Sequence, residues 1–301
     1  MGTVTLAVIV VTFNTRDLLL QALRSVYDDA MRAGRSHQVI VVDNASSDGT
    51  AAAVRGAFPS VHLIENSTNV GLAPALNQGL RACTDATYVL LMNSDIEVRP
   101  GTLRPMMDHL DANPEVAGVS VQLINPDGSP QKFRTSVGIV VLPERLNRIF
   151  PITFFGTTFH LGRRTMYNDD QVGPFDEYYF FFNEDLDWSL RAHRKGLAFH
   201  YLPHIPVVHY RGMGRAQNRQ RLLTDQYRMN LYFYAKFYGR ASTHLIYYIQ
   251  TAELLGRLAY LGLVGKGSSD VAAAYRLALD DQRRLMSSLR PHPGQGRPTD
   301  L

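Results

Sequence analysis

The stretch TLAVIVVTFN at residues 5–14 indicates a parallel α/β sheet. Leu6–Val11 is an unbroken apolar run rich in β-branched side chains, which is typical of a strand that a parallel sheet buries on both faces. We expect a core strand here and not a secretory leader, because no basic residues precede the run and no small-residue cleavage motif follows it. Two polar residues, Thr12 and Asn14, come directly after the strand.

Strands and helices alternate over the first hundred residues. Further strand patterns lie at 39–42, 61–65 and 88–92, and helical patterns lie at 17–33, 50–58 and 71–82. This alternation predicts an α/β fold, a mostly parallel Rossmann-like sheet flanked by helices, with ligands at the carboxyl ends of the strands. Polar residues fall at those ends, namely Thr12, Asn14, Asp43, Asn44 and Asp95.

The composition favours a cytoplasmic protein with an anionic partner. The chain of 301 residues carries a formal charge of +4, which fits a nucleotide, a phospholipid surface or a nucleic acid. We expect no nucleic acid, because no run of interleaved basic and aromatic residues occurs. The single cysteine, Cys83, allows no intrachain disulfide, and we interpret it as a structural thiol in a reducing compartment. No apolar run is long enough to predict a spanning helix.

The remainder of the chain divides into regions of different character. The signal weakens over 118–148, where residues 125–128, NPDG, predict a turn. Residues 150–182 are rich in aromatics, 184–195 predict a helix that ends at Gly196, and 197–210 predict one or two strands interrupted by proline. We expect a donor-binding part at 1–120, an acceptor-binding and catalytic part of the same domain at 121–215, a helical region at 216–290 and a disordered tail at 291–301.

Asn93-Ser94-Asp95 ends the fourth predicted strand and presents a carboxylate at the sheet edge. A hard cation such as Mg²⁺ commonly binds one or two carboxylates together with substrate phosphates. The same three residue types also favour a plain turn. The motif alone leaves both interpretations open.

A second polar loop, Asp43–Gly49, follows the second strand. Asp43 could accept a hydrogen bond from a ring N–H of a pyrimidine, and Asp48 could cap the following helix. Helix capping by the whole loop is the alternative.

Three carboxylates, Glu184, Asp185 and Asp187, stand at the start of the helix predicted at 184–195. A carboxylate placed against aromatic surface can have a raised pKa, which suits a general base. An acidic first turn that complements the helix dipole is the alternative.

The absence of other motifs narrows the class of protein. His200 and His204 have helical metal spacing, but nearby prolines argue against a helix and no HExxH occurs, so a zinc hydrolase is disfavoured. GxGxxG, GxxxxGK[ST] and GxSxG are also absent, which argues against a dinucleotide oxidoreductase, a P-loop enzyme and an α/β-hydrolase.

Six motifs in order resemble family 2 of the glycosyltransferases, which has the GT-A fold. They are VIVVTFN ending at Asn14, VVDNASSDGT from Val41, NVGLAPALNQGL from Asn69, VLLMNSDIEV from Val89, VGPFDEYYFFFNEDLDWSLRAHRKG from Val172, and VVHYRG from Val207. Together they cover most of residues 5–215.

The resemblance implies a role for each matching residue. Thr12, Asn14 and Asp43 would line the nucleoside pocket, with Asn69 and Asn77 near it. Asp95, with Asn93 in place of the first aspartate common in the family, would hold Mg²⁺ or Mn²⁺ on the donor diphosphate, and His209 would complete the metal site. Asp185 would be the general base of an inverting reaction, and Glu184 would shape the acceptor pocket.

Within the family, the Asn-Ser-Asp form and the aromatic segment before Glu184-Asp185 look most like bacterial rhamnosyltransferases of cell-wall or O-antigen assembly. This implies transfer of L-rhamnose from a dTDP- or UDP-sugar to a glycan or a polyprenyl-linked glycan. The chain departs from its relatives at Phe154-Phe155-Gly156-Thr157, before Arg163-Arg164, where they usually carry a Gly-Ala-rich stretch.

The C-terminal helices predict a contact surface. Residues 244–264 form a long, mainly apolar stretch that is broken by Glu253 and Arg257, and 227–238 are crowded with Tyr and Phe beside basic residues. Such helices could rest on the inner face of an anionic membrane, pack on the domain or form a homodimer. Two other functions stay open from sequence: a nucleotidyltransferase, although no Gly-rich basic loop follows the first strand, and a catalytically silent sugar- or nucleotide-binding module.

Overall fold

The structure is a computed structural model that describes residues 4–83, 85–131, 150–152, 154, 156–211 and 219–288. Within these residues, 4–180 and 184–211 form one compact unit, and 181–183 with 219–288 form a second. The tail predicted to be disordered and Phe155 lie outside the described residues. Residue 120, suggested as a boundary within the first domain, lies inside a strand.

The described part of the first unit contains one sheet of nine strands. Its strands are β1 Val4–Thr12, β2 His37–Asp43, β3 His62–Glu65, β4 Ala86–Asn93, β5 Ile96–Glu97, β6 Val116–Ile124, β7 Phe150–Ile152, β8 Phe159–Arg163 and β9 Ala198–His209. Five helices accompany them: α1 Arg16–Ala33, α2 Thr50–Ala57, α3 Leu72–Arg81, α4 Leu103–Ala112 and α5 Glu184–Arg194.

The strands lie in the order β3-β2-β1-β4-β8-β6-β9-β5, and β7 also pairs with β9. The pairs β2–β3, β1–β2, β1–β4 and β6–β9 are parallel. The strand β8 is antiparallel to both of its neighbours, and β5 and β7 run antiparallel to β9. The prediction of a mostly parallel sheet flanked by helices is confirmed.

Every strand and helix predicted before residue 93 is present, with ends that differ by at most two residues. The core explains this agreement, because β1, β2 and β4 are buried on both faces and α1 buries the periodic stripe Leu19, Ala22, Leu23 and Val26. Helix α3 packs so closely on β1 that a Cβ at Gly79 would lie 2.4 Å from Cγ2 of Ile9. Only glycine fits there without a shift of the core.

The second half of the sheet is formed by the part of the chain in which the secondary-structure pattern of the sequence is weaker. The strands β6, β7 and β8 lie where the sequence pattern was weak or hard to assign. The segment predicted to hold one or two strands is a single strand, β9, which shifts its register against β6 between Leu202 and Pro206. The prolines are therefore accommodated at an irregularity and do not end the strand.

Two consecutive arginines, at the end of β8 and directly after it, bind the ends of two helices. Arg163 donates to the carbonyls of Leu110 and Asn113 at the end of α4. Arg164 donates to the carbonyls of Leu80 and Cys83 at the end of α3. Cationic donors at helix C-termini satisfy exposed carbonyls and complement the helix dipole. The arginine pair is thus a structural clamp, and burial raises the pKa of the neighbouring Cys83 thiol, as expected of a structural cysteine.

The second unit contains two long helices, α6 Arg219–Leu263 and α7 Asp270–Ser288. Gly239, with φ +77°, breaks α6 into two segments. The packing of the helices buries Tyr227, Leu254, Ala278 and Leu279. Among the helices the structure describes, none is long and apolar enough to cross a membrane.

Helix α4 is capped by a carboxylate from α1. Asp29 is buried, and its oxygens accept hydrogen bonds from the backbone N–H groups of Gly101, Thr102 and Leu103, the last at 2.7 Å. The local cap position, Thr102, makes no side-chain hydrogen bond. Asp29 thus satisfies the first N–H groups of a helix more than 70 residues away in sequence.

Replacing Asp29 with Ala should lower the free energy of unfolding by about 2–3 kcal/mol, because three backbone N–H groups, two of them buried, lose a charged acceptor. Urea unfolding followed by circular dichroism measures the change. The exposed neighbour provides a matched control, and Asp28→Ala should stay within about 0.5 kcal/mol of the parent. Equal effects of the two substitutions would contradict this role for Asp29.

Candidate active site

The polar residues that follow the first, second and fourth strands meet at one edge of the sheet. The register aligns Thr12 with Asp43 across β1 and β2, and Val11 with Asn93 across β1 and β4. Because these strands are parallel, their carboxyl ends open onto the same edge. The sequence predicted this convergence, and the structure confirms it.

The loop after β1 is tied to the loop after β2 by Asn14. Its side-chain oxygen accepts a hydrogen bond from the backbone N–H of Ser47 at 2.7 Å, and its own N–H donates to the hydroxyl of Ser46. Asn14 therefore organises the two loops as one surface. Asp48, in the same loop, accepts from the N–H groups of Arg16 and Thr50, so its predicted helix-capping role is confirmed.

Asp43 and Thr12 are both nearly fully buried at the floor of this edge. One oxygen of Asp43 accepts from the N–H of Ser46. The hydroxyl of Thr12 lies 2.9 Å from that of Thr15, which lies 2.8 Å from that of Ser94. This chain of three hydroxyls runs from β1 to the residue before Asp95.

The loop of residues 66–71 is fastened to the end of β2 by Asn44. Its side chain accepts from Asn66 and from the N–H of Val70, and it donates to Asn69 and to the carbonyl of Gly71. Asn69 is thereby held beside the second polar loop, in line with its predicted place near the donor pocket. Asn44 was not assigned a role from sequence, yet its side chain makes more of these hydrogen bonds than that of Asn69.

Asn77 has a different environment from the other predicted donor residues. Its buried side chain accepts from the N–H of Phe175 and donates to the carbonyl of Phe175 and to Glu177. These bonds join α3 to the aromatic segment before α5. The contacts are structural, and the structure does not bring Asn77 into the group formed by Thr12, Asn14 and Asp43.

Asp95 and His209 stand side by side, as the resemblance implied. Ile96 on β5 is aligned with His209 on β9, and the N–H of Tyr210 donates to the carbonyl of Asp95. This pairing sets Oδ1 of Asp95 3.3 Å from Nε2 of His209. Both side chains are mostly shielded from solvent, with exposures of 15% and 10%.

The chemistry of this pair fits a divalent cation. The other ring nitrogen of His209, Nδ1, lies 2.9 Å from Oε1 of Gln131. If Nδ1 donates to that oxygen, neutral His209 turns the lone pair of Nε2 toward the Asp95 carboxylate, and two acceptors at this distance favour a positive charge between them. No third His, Cys, Asp or Glu joins the pair within the described ranges, so donor phosphates and water would supply the other ligands.

A pair of neighbouring carboxyls, Glu184 and Asp185, begins α5 and is anchored next to the end of β4. The hydroxyl of Thr157 donates to Glu184 at 3.5 Å, and the backbone of Thr157 hydrogen-bonds to Asp185. The following residue, Thr158, accepts the N–H of Asn93 through its carbonyl. The acidic pair is thus connected to the strand end that carries Asp95.

Burial raises the pKa of both carboxyls of the pair. For Glu184 the main cause is removal from solvent, followed by repulsion from Asp185. For Asp185 removal from solvent also dominates, while hydrogen bonds from backbone N–H groups act in the opposite direction. Oε2 of Glu184 is buried with no hydrogen-bond partner among the described residues. A buried oxygen without a partner favours the protonated acid, so the two carboxyls are held in different environments.

The third carboxylate of α5, Asp187, has a structural role. It is fully buried and accepts from Arg191 at 2.7 Å and from the hydroxyl of Tyr179. Arg191 also donates to the carbonyl of Pro174, and Trp188 donates to that of Gly173. The helix therefore holds the segment that leads into Glu184 and Asp185. Of the three carboxylates predicted as one cluster, Asp187 is structural, and the other two remain available to the site.

Four residues other than glycine have positive φ angles in the described chain. Asn14 and Ala45 lie in the first two polar loops, and Phe182 and Asn183 directly precede Glu184; their φ angles are 52°, 69°, 71° and 66°. Left-handed backbone costs an L-residue with a Cβ about 1–2 kcal/mol. All four therefore place strain next to the residues that line the site.

Several residues of the site were given no role from sequence. Thr15 and Gln131 were not singled out, and Ser94 and Thr157 were named only as parts of longer motifs. Each acts through a contact with a residue far away in the chain, and only the turn predicted at 125–128 pointed toward Gln131. Among the other histidines, His200 pairs with His109 through a hydrogen bond of 3.0 Å on a strand, which supports the prediction that no helical zinc motif exists there.

The sheet order, with polar loops at the carboxyl edge of its parallel strands, is that of the GT-A glycosyltransferase fold. The sequence profile described as "Glycosyl transferase family 2" matches residues 7–170, more than half of the chain, and the chain belongs to this family. At the level of the family, its activity is glycosyl transfer.

Curated relatives are similar at modest identity. The chain is 25% identical over 262 residues to the N-acetylglucosaminyl-diphospho-decaprenol L-rhamnosyltransferase of Mycobacterium tuberculosis (strain CDC 1551 / Oshkosh), covering 76% of this chain and 84% of that protein. It is 26% identical over 207 residues to the dTDP-rhamnosyl transferase RfbF of Shigella flexneri, covering 67% of each.

Solved structures share the fold. The mannosyltransferase PcManGT from Pyrobaculum calidifontis, in complex with GDP-Man and Mn²⁺, superposes with a TM-score of 0.58 at 20% identity over 96% of this chain and 86% of that one. GalNAc-T7 with UDP, GalNAc and Mn²⁺ superposes with a TM-score of 0.57 at 14% identity over 78% of this chain and half of that longer one.

Proposed function

We propose that this protein is an inverting, metal-dependent glycosyltransferase that moves L-rhamnose from a dTDP- or UDP-sugar to a hydroxyl of a glycan. The acceptor is a glycan or a lipid-linked glycan of cell-envelope polysaccharide synthesis. The names of the two relatives above support rhamnose, and one of those names includes a decaprenol-linked acceptor. In this scheme residues 1–120 bind the donor and 121–215 bind the acceptor.

The observation that carries the proposal is the presence of two unlike pairs of polar side chains beside one strand end, an Asp–His pair and a pair of carboxyls. Asp95 with His209 forms a partly shielded pair of acceptor groups, suited to a cation on the donor diphosphate. Glu184 with Asp185 forms a pair with raised pKa values, suited to proton transfer. Both pairs are connected to the end of β4, one through Ser94 and the other through Thr158 and Asn93.

The proposed reaction is a single displacement. Asp185 accepts the proton of the acceptor hydroxyl while that oxygen bonds to the anomeric carbon, and the bond from this carbon to the diphosphate oxygen breaks on the opposite face. A bound Mg²⁺ or Mn²⁺ would stabilise the negative charge on the departing diphosphate. One base suffices, because no covalent sugar–enzyme intermediate forms.

Glu184 would complement the base as a neutral acid. Burial and the neighbouring Asp185 carboxylate both raise the pKa of Glu184, and its buried oxygen Oε2, which has no hydrogen-bond partner among the described residues, favours the protonated acid. A protonated carboxyl can donate a hydrogen bond to an acceptor hydroxyl without competing for the proton. This division of roles fits the interpretation of Glu184 as part of the acceptor pocket.

Donor binding can be tested by thermal unfolding with nucleoside diphosphates and their sugars, with and without Mn²⁺. A dTDP or UDP ligand at about 100 times its dissociation constant should add about 2.7 kcal/mol of stability. Asp95→Ala should remove the Mn²⁺-dependent part of this shift, whereas Glu115→Ala, an exposed carboxylate outside the site, should retain it. Absence of a shift with every nucleotide would overturn the donor site, and binding without turnover would indicate a silent binding module.

The pH dependence of kcat/KM should report the base. Because burial raises the pKa of Asp185 to about 6, kcat/KM should fall about tenfold per pH unit below that value as the base becomes protonated. Asp185→Asn should lower kcat by about 10²–10⁴-fold, and Asp170→Asn, an exposed carboxyl, should leave it unchanged. An acid limb near pH 8 instead would assign the base to Glu184.

The second half of α6 presents an exposed apolar stripe, which we propose rests on the inner face of an anionic membrane. Its members are exposed by between 50% and 88%: Leu245, Tyr248, Ile249, Leu255, Tyr260 and Leu263. At about 100° per residue they lie within an arc of about 140°. A helix of this kind lies in the membrane interface and does not cross it.

Charge at the ends of the stripe favours a lipid surface over a second copy of the chain. Arg240 lies before the stripe and Lys266 after it, both exposed, and the carboxylate nearest to the arc, Glu253, is paired with Arg257. In an antiparallel homodimer through the stripe, Arg240 would face Lys266 of the other copy, and in a parallel one equal charges would align. Anionic headgroups are attracted at both ends.

Leu255→Glu should weaken binding to vesicles that contain anionic phospholipid by about tenfold, because it places a negative charge on the apolar face that would be buried in the lipid. Cosedimentation measures the bound fraction. Met31→Glu, which changes an exposed apolar side chain of the other unit, is the control and should bind like the parent. Equal binding of both variants would contradict the lipid contact, and a monomer–dimer change in Leu255→Glu without a lipid effect would favour self-association.

A further inference from the structure

Gln131 holds the proposed metal-ligating histidine from both sides. The turn at residues 125–128 folds the chain back along β6, and the N–H of Gln131 donates to the carbonyl of Leu123. The side chain of Gln131 then reaches the end of β9, where it contacts the ring and the backbone of His209. Gly128, with φ +85°, supplies the left-handed conformation that this turn needs.

The hydrogen bonds fix which way the Gln131 amide points. Its Nε2 lies 2.7 Å from the carbonyl oxygen of His209 and 2.9 Å from Oδ1 of Asn125, and both of these atoms only accept. The orientation of Asn125 is set in turn, because the hydroxyl of Ser129 donates to Asp127 and can therefore only accept from Nδ2 of Asn125. An inverted amide would place the oxygen of Gln131 against two acceptors, so Oε1 must face Nδ1 of His209.

This orientation decides the tautomer of His209. With only an acceptor beside it, Nδ1 carries the proton of the neutral ring, and Nε2 keeps its lone pair toward Asp95. Without Gln131, the neutral ring would be more stable as the other tautomer, because an Nε2–H group could donate to Asp95 Oδ1 at 3.3 Å. That alternative hydrogen bond would occupy both atoms that would otherwise bind a cation.

We propose that Gln131 is a positioning residue that locks His209 in the Nδ1–H tautomer and so keeps Nε2 and Asp95 available to a divalent cation. The inference rests on the cation site of the proposed function. It assigns Gln131 no contact with substrate or cation, and its effect passes entirely through His209. Outer partners of this kind typically change metal affinity by about 10–100-fold.

The test compares Gln131→Met, which keeps the length of the side chain and removes both polar groups, with Gln131→Glu, which keeps an acceptor for Nδ1. The first measurement is the ¹⁵N NMR signature of the His209 ring in metal-free protein near neutral pH, assigned by its loss in His209→Gln. The wild type and Gln131→Glu should show Nδ1–H, and Gln131→Met should shift toward Nε2–H.

The second measurement is Mn²⁺ affinity, titrated by electron paramagnetic resonance in the presence of dTDP or UDP. Gln131→Met should bind Mn²⁺ about 10–100-fold more weakly than the wild type, and Gln131→Glu should stay closer to the wild type. Gln38→Met, on β2 and away from the site, controls for the loss of a glutamine and should match the wild type.

The NMR signature tests the role of Gln131, and the Mn²⁺ titration also tests the cation site of the proposed function. An unchanged His209 tautomer with unchanged Mn²⁺ affinity in Gln131→Met would overturn the inference, as would an Nε2–H ring in the wild type. If wild-type protein binds no Mn²⁺ with either nucleotide, the cation site of the proposed function fails, while the NMR signature of the metal-free protein still decides whether Gln131 sets the tautomer.

Discussion

The parallel pairing of β1 with β4, in which Val11 lies opposite Asn93, places the loop that contains Asn14 beside the loop that contains Asp95. Pairing of β1 with β2 adds Asp43 to the same edge. The antiparallel strand β8 then borders β4 on its other side, and the residues that lead into β8 bring in the acidic start of α5. A slip of one residue in the β1–β4 register would turn the side chains of β4 to the opposite face and separate Asp95 from the loop that contains Asn14.

The first half of the fold could be predicted from sequence because each of its signals is local. A buried apolar run predicts β1, and spacing of three and four residues predicts α1, without knowledge of any distant residue. By contrast, Arg163 binds the end of α4, Asp29 caps α4 and Gln131 orients His209, over separations of about 50 to 80 residues. Such contacts leave no periodic pattern in the sequence, so only the three-dimensional structure shows them.

The candidate site was predictable to a similar extent. Asp95 was paired with His209 through resemblance, and the two lie side by side in the structure, whereas Glu184 and Asp185 were already visible as an acidic pair in the sequence. For Asn77, which the resemblance placed near the donor pocket, the structure shows an amide bonded to Phe175 and Glu177, and its part in donor binding stays a prediction. The carboxylates of α5 looked alike in sequence, yet burial and partners give Asp187 a structural ion pair and leave Glu184 with an unbonded oxygen.

The four left-handed residues at Asn14, Ala45, Phe182 and Asn183 also bear on how the protein could be engineered. Glycine at any of these positions would relieve local strain, and a design procedure that rewards stability alone would choose it. The same exchange would release the loop from the single conformation that a side chain with a Cβ helps to define. A thermostable version of this chain is therefore better sought on its surface and in its helices, with these four backbone positions kept as they are.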